Sequence, residues 1–268
     1  IRTDSSDGND NKRIILAAGG DNSQVRGAQM TLYGNEYSSH EGRLQLLAGN
    51  SGNANGIIQM NTGGAERLRI TSGGTVLKGL TTARQNYANN TSGVEYGFQI
   101  EATSATKSSL SLIRSSDDIN DGGIFIGKTR STSVGGNTAV QAGDDLGTIT
   151  FGGADGTTLQ FGVEIVAEVQ SGVGNDDMPT DLIFKTNGGS TNTAERLRIQ
   201  SGGDVLIGTT TSAGKLTVDS GTSNTCATFQ SSDAGAGINL KDNNARSSIE
   251  QNGTTLKISS DTGAEDAN

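Results

Sequence analysis

Glu164 and Glu168 are the carboxylates whose spacing comes nearest to acid–base work in this 268-residue chain. Hydrolysis of a glycosidic bond needs two carboxyl groups about 5–10 Å apart across the sugar. Four residues apart on a strand, this pair shares a face but is separated by roughly 13 Å, and the chain has no Trp to serve as a sugar platform. The two read as solvated surface carboxylates. His40 is the only histidine, so no Ser-His-Asp arrangement can be completed through a second one. A three-histidine metal site on a threefold axis is an analogy; between Ser39 and Glu41, His40 reads as an exposed turn residue. Oxygen-rich loops at residues 4–10 (DSSDGND) and at Asp117, Asp118, Asn120 and Asp121 are weak calcium candidates. Neither has the spacing of an EF-hand, and both read as polar turns in which Asp and Asn cap their own backbone. Gly152-Gly153-Ala154-Asp155-Gly156-Thr157-Thr158 has the glycines of a phosphate cradle but neither the following Lys nor a helix. Cys226 is the single cysteine and reads as a small buried hydrophobe. Tyr33, Tyr37, Tyr87 and Tyr96 fit a carbohydrate- or protein-contacting patch, or packing at seams between chains, the reading favoured here. No catalytic residue, cofactor site or firm metal site follows, and the chain is not read as an enzyme.

The elements that carry these residues are written twice. Residues 65–77 read AERLRITSGGTVL and residues 194–206 read AERLRIQSGGDVL. Each copy follows an apolar run and a Gly-Gly pair, at Gly63-Gly64 and Gly188-Gly189. The shared frame is Glu66, Arg67, Leu68, Arg69, Ile70, Gly73 and Gly74 in one copy, and Glu195, Arg196, Leu197, Arg198, Ile199, Gly202 and Gly203 in the other. Enzymes seldom repeat an active-site frame, whereas elongated structural proteins repeat their building unit. A shorter period marks the start of the chain: Gly19-Gly20, Gly34-Asn35, Gly49-Asn50 and Gly63-Gly64 recur every 14 or 15 residues, each closing an apolar run. Such pairs tolerate positive φ and read as tight turns.

Leu, Ile, Val and Phe make up a fifth of the residues, too few for a thick globular core. They sit in short alternating runs, the mark of half-buried strands rather than of a disordered tail. Forty glycines without a Gly-X-Y period fit a turn-rich all-β chain and exclude collagen. A net charge of −9, with dispersed basic residues, argues against a nucleic-acid partner. No apolar run reaches the roughly 20 residues of a membrane helix, so no membrane insertion is expected. One cysteine excludes an intrachain disulfide. The chain begins at Ile1 and ends in DTGAEDAN, which reads as a piece of a longer polypeptide.

Strands are expected at 95–101, 110–114, 124–128, 146–151, 159–169, 182–185, 197–199, 205–207, 216–218, 227–230, 238–240, 248–251 and 256–258, after the N-terminal set. The best helical stretch, 81–88, lacks a sustained 3.6-residue period. In Arg67-Leu68-Arg69-Ile70 and Arg196-Leu197-Arg198-Ile199, period 2 places arginine on one face and aliphatic residues on the other. The arginines read as rungs of a charged outer face, or as partners of Glu66 and Glu195 of a neighbour, ahead of anion sites. Ribbons with one apolar side need covering, and this chain has few large apolar residues with which to do it. Three copies around an axis would cover one another. The expected fold is all-β: an elongated homotrimeric fibre of repeated strand–turn units, β-prism or triple-β-helix-like, with intertwined chains. The expected divisions are a repeat shaft over 1–82, a second module over 83–210, and the start of a further module over 211–268.

The stretch AERLRIQSGGDVLIGTTTSAGKLTV (194–218) resembles the ERLRI-Ser-Gly-Gly-(Asn/Asp)-Val-x-Ile-Gly-Thr-Thr stretches of bacteriophage tail fibres, especially those of marine and cyanobacterial phages. Residues 110–114, 127–130, 147–151, 167–169 and 177–179 are similar to the module that usually precedes it, and 237–242 and 248–252 to a segment that follows. The likeness covers most of residues 105–268. It implies a homotrimer with intertwined β-structure, located in the virion and outside the cell, with other tail proteins and a host surface glycan or protein as partners. Such proteins often carry a C-terminal endosialidase-type chaperone domain, which no stretch here resembles. Asp204-Val205-Leu206-Ile207-Gly208 and Thr75-Val76-Leu77-Lys78-Gly79 depart from the commoner Gly-Asn-Val-Gly-Ile-Gly form, so the turn of the first copy is open to differ. The expected role is structural and adhesive, in host recognition and attachment. A polysaccharide-depolymerising trimeric tailspike, or a bacterial surface filament built from the same modules, is the alternative.

Overall fold

The structure, a computed structural model, describes residues 11–18, 27–49, 56–87, 95–190, 192–233, 235–241 and 246–261. Sixteen strands and no helix occur among them: β1 (Arg13–Ala18), β2 (Ala28–Tyr33), β3 (Leu44–Leu47), β4 (Ile58–Thr62), β5 (Ala65–Ile70), β6 (Val76–Lys78), β7 (Phe98–Ile100), β8 (Asp145–Ala154), β9 (Leu159–Val169), β10 (Thr180–Asn187), β11 (Thr193–Ile199), β12 (Val205–Ile207), β13 (Leu216–Val218), β14 (Gly235–Lys241), β15 (Arg246–Asn252) and β16 (Thr255–Asp261). They form four open sheets, ordered β1-β2-β3, β4-β5-β6-β7, β13-β12-β11-β10-β9-β8 and β14-β15-β16. The chain is all-β. Two compact units result: residues 1–125 with 152–161, and residues 126–151 with 162–268.

In the first unit, β1, β2 and β3 pair antiparallel, so Leu16, Met30 and Leu46 form one cross-strand row and Ile14, Leu32 and Leu44 the next. An open groove of about 490 Å³ lies along this side, lined by Leu16, Met30, Leu46, Ile57 and Ile58 among others. The β4–β5 hairpin closes on Gly63 and Gly64, whose φ values of 60° and 75° are those of a two-residue hairpin turn that only glycine adopts freely. Gly34-Asn35 instead opens the longer turn between β2 and β3, and Gly19-Gly20 and Asn50 lie outside the described residues.

In the second unit, β9, β10, β11 and β12 pair antiparallel in sequence order, and β13 then pairs parallel to β12. The β10–β11 hairpin carries one more pair than its counterpart, Asn187 opposite Thr193. Asn187 Oδ1 closes its longer loop by accepting from the Gly189 and Ser190 amides. Further along, Ile238, Ile249 and Ile258 line up across β14, β15 and β16.

Three expected strands do not form. Residues 110–114, 124–128 and 227–230 are irregular, and Ile113, Ile124, Phe125 and Phe229 are exposed. Their alternation is strand-like, but a strand exists only with a partner, and within the described chain none is offered. Residues 81–87 form no helix.

Candidate functional site

The two AERLRI copies fold into one shared device, and its centre is a bulge. In the first, Met60 lies opposite Leu68 but Asn61 lies opposite Glu66, so Arg67 is the extra residue. In the second, Phe184 lies opposite Leu197 but Lys185 lies opposite Glu195, so Arg196 is extra. An extra residue reverses the alternation on one side of itself. Glu66 therefore shares a face with Arg69, and Glu195 with Arg198, although period 2 sets each pair on opposite faces. The expected charged outer face of paired arginines is thus corrected, and so is the pairing with a neighbour's glutamate: both ion pairs lie within the chain. Arg69 binds Glu66 through Nε and Nη2, each at 2.6 Å. Arg198 binds Glu195 through Nε at 3.0 Å and Nη2 at 2.7 Å. The bulged arginines also match, Arg67 Nε donating to Thr62 Oγ1 and Arg196 Nε to Thr186 Oγ1, both at 3.1 Å.

Each device continues identically. Leu77 stands opposite Arg69 and Leu206 opposite Arg198, and both leucines are wholly buried. After each short strand comes a glycine of positive φ, Gly79 at 84° and Gly208 at 75°. A Cβ on Gly79 would lie 2.1 Å from the Glu101 carbonyl oxygen, and one on Gly208 2.2 Å from that of Asp219. Both positions demand glycine twice over, for conformation and for space. The turns of the two copies are therefore alike, despite their departure from the commoner motif. The chain then returns parallel, Leu77 beside Gln99 and Leu206 beside Thr217. Gln99, buried, holds its crossover by accepting from the Arg84 amide at 2.8 Å and donating to the Arg84 and Tyr96 carbonyls. Thr217 Oγ1 does the same office for the Ala213 amide at 3.0 Å.

The copies differ in what surrounds the arginine. Strand β4 is an edge, so Arg69 has Glu66 as its ion-pair partner. Around Arg198, β9 and β10 add Glu168 at 3.0 Å and Asp181 at 2.7 Å. Asp181 is buried, and its other oxygen accepts from the Ser201 amide. The Glu195 hydrogen bonds raise the Arg198 pKa most, and Asp181 and Glu168 raise it further against the cost of burial. Glu168 is thus engaged by Arg198, and Glu164 accepts from Thr193 Oγ1.

The bulge moves Glu66 and Glu195 off one face of each sheet. In the six-stranded sheet, Leu182, Ile199, Val205 and Leu216 form one row, and Ile165, Phe184, Leu197, Ile207 and Val218 the next. Leu216 is 65% exposed, and Leu182, Ile199 and Ile207 more than a third. The opposite face holds Arg198 and its carboxylates together with Val166, Ile183 and Leu206, which are buried. In the four-stranded sheet, Ile58, Ile70, Val76 and Phe98 line one face and Gln59, Arg69, Leu77 and Gln99 the other. In both, the arginine pairs within its own face, and the aliphatic face is partly exposed, chiefly at Phe98 in the four-stranded sheet, where Lys78 shares it. Without its bulge, Glu195 would project among Leu197 and Ile199.

The remaining candidates have other employment. Asp118 receives both Arg114 η-nitrogens at 2.6 Å, Ser116 Oγ at 2.7 Å and the Asn120 amide at 2.9 Å. These bonds, Arg114 first, hold its carboxyl well below the usual range. Asp117 and Asp121 are exposed, and among the described residues no three His, Cys, Asp or Glu side chains gather as a metal cage; the 4–10 loop lies outside those residues. Asp155 caps the 155–158 turn through the Thr157 and Thr158 amides. His40 is half-buried rather than exposed, its ring stacked on Tyr33 at 4.8 Å, with Nδ1 buried and unbonded. Tyr37 packs on Tyr33 at 4.9 Å and Tyr87 on Tyr96 at 4.6 Å, all within the chain. Cys226 is exposed, beside Ser220 Oγ, and is not a buried hydrophobe. Sequence reasoning missed Asp144, a buried carboxylate held by Lys128 at 2.7 Å and Arg130 at 2.7 Å and 2.9 Å.

No family model matches the chain, and no curated protein matches it. Among solved structures it is similar to the carboxy-terminal domain of the bacteriophage T5 L-shaped tail fibre, with a TM-score of 0.45 and 15% identity over 82% of this chain and 87% of that one. It is also similar to the same domain with its intramolecular chaperone domain, with a TM-score of 0.45 and 14% identity, covering 87% of this chain and 65% of that one.

Proposed function

We propose that this chain is a segment of a homotrimeric phage tail fibre, a structural and adhesive part of the virion that holds a receptor-binding surface against the host. The observation that carries this reading is the partly exposed aliphatic face of the six-stranded sheet, set opposite a face where Arg198 is paired with Glu195, Asp181 and Glu168. Covering the exposed half of one large aliphatic side chain is worth about 1 kcal/mol. The two rows of the six-stranded sheet hold roughly 5 kcal/mol, comparable with the lower end of the whole stability of an ordinary domain. Closed rotational symmetry lets identical copies cover one another without leaving a face over. The resemblance of residues 194–218 to tail-fibre repeats supports the virion as the setting. A structural rather than catalytic role is supported by the engagement of Glu164 and Glu168 with Thr193 and Arg198.

Antibodies raised against the chain test the reading by electron microscopy of the source culture. Label on the fibres of tailed particles, with loss of adsorption to host cells, is the expected result. Label on filaments of the bacterial surface would overturn it.

A further inference from the structure

Between residues 109 and 129 the described chain makes no backbone–backbone hydrogen bond; the nearest on either side are Ser108 to Ser104 and Arg130 to Thr138. Yet the turn within this stretch is fully built. Arg114 grips Asp118 with both η-nitrogens and donates to the Asn120 carbonyl at 2.9 Å. Gly122 lies against Arg114, so close that a Cβ there would stand 3.6 Å from that of Arg114. The arms on either side make no backbone ladder, although in the second Ile126 lies over Gly147 and Lys128 Nζ binds Asp144 at 2.7 Å. Leu110, Leu112 and Ile113 precede the turn, and Ile124, Phe125 and Ile126 follow it, all exposed, Ile113 by 84% and Phe125 by 96%. Composition is that of strands, and what is missing is the neighbour that supplies a ladder.

We propose that residues 110–114 and 124–128 are strands donated to a second copy of this chain, pairing through their backbones with one of its open sheet edges. This rests on the homotrimeric reading. Open edges are on hand: β4 and β7 flank the four-stranded sheet, and β8 and β13 the six-stranded one. An unpaired edge is a ready template for an extended segment, the backbone giving affinity and alternate side chains giving specificity. The six apolar side chains together expose on the order of 800 Å², the share of one partner in a standard-size interface. In a closed ring each copy gives one segment and receives one, so no donor or edge is left over. The preformed turn lowers the ordering cost, since the reversal at 115–121 is fixed before the arms pair.

Hydrogen–deuterium exchange of the intact chain, with its mass measured on the same sample, tests this. Amides of 110–114 and 124–128 are expected to exchange at least about a hundredfold more slowly than free peptide in a particle of three chains. Lysine cross-linking of co-refolded ¹⁴N and ¹⁵N chains identifies the acceptor, with Lys107 and Lys128 flanking the segment. Mixed-isotope pairs from these lysines place it on a second copy. Single-isotope pairs alone place it on its own chain and overturn the proposal. Free exchange of the arms in a three-chain particle also overturns it while leaving the trimer standing. A single-chain mass removes both.

Discussion

Alanine at Gly202, Gly203 and Gly208 separates three costs that one substitution would confound. Gly202 lacks positive φ and a Cβ there meets nothing within 4 Å, so Gly202→Ala should change stability by less than about 0.5 kcal/mol. Gly203 has φ of 83° but meets only Lys215 Nζ, at 4.0 Å. Gly203→Ala should therefore show the left-handed penalty alone, about 1–2 kcal/mol. Gly208 adds to its φ of 75° a contact of 2.2 Å with the Asp219 carbonyl oxygen. Relieving that contact means separating β12 from β13, which are joined by the Asp219 amide to Ile207 at 2.9 Å and the Val205 amide to Lys215 at 2.8 Å. At about 1 kcal/mol for each lost bond, Gly208→Ala should cost about 3–4 kcal/mol. Urea unfolding at one fixed chain concentration measures all three, the fixed concentration removing any mass-action difference. Gly79→Ala, with its 2.1 Å contact to Glu101, should behave as Gly208→Ala does. A Gly208→Ala variant no less stable than Gly203→Ala would refute the argument that this turn is fixed by contact as well as by φ.

Arg198→Met should destabilise by about 3 kcal/mol, because it leaves Asp181 buried without its cation, and Arg69→Met, whose ion-pair partner is the adjacent Glu66, should cost less; denaturant midpoints decide. Asp144 is held below the usual aspartate range chiefly by Arg130, then by Lys128 and the Gln141 amide. A depressed native pKa contributes stability that is complete above the ordinary value of about 4 and is lost as pH falls toward the lowered one. Asp144→Asn should thus be less stable than wild type at pH 7 and should flatten the acid limb of a stability–pH curve; an unchanged limb would contradict this. Ile199→Asp, on the exposed row beside Leu182, should lower the mass of the particle in solution, whereas Gln200→Asp should leave it unchanged.

How much of this was legible in the sequence turns on parity. Alternation in AERLRI located the strand and its aliphatic face correctly, because Leu197, Ile199 and Val205 do share a side. It misplaced Glu195, since nothing within the motif marks Arg196 as extra; the bulge is visible only against Phe184 and Lys185 of the opposing strand. The carboxylates around Arg198 lie 17 and 30 residues away in sequence, a separation that spacing rules do not reach. Residues 110–114 and 124–128 carried a true strand pattern without a partner, and pattern alone cannot supply one. For Cys226 the residue type, and for His40 the polar flanks Ser39 and Glu41, indicate average burial and not the neighbours in space that decide it, such as Tyr33 beside His40.

Sedimentation equilibrium of the purified chain bears most directly on the claim that the aliphatic faces lie between copies. A particle of three times the 27.4 kDa chain mass, reduced by Ile199→Asp, is the expected result. A stable species of one chain mass, insensitive to that substitution, would contradict the account.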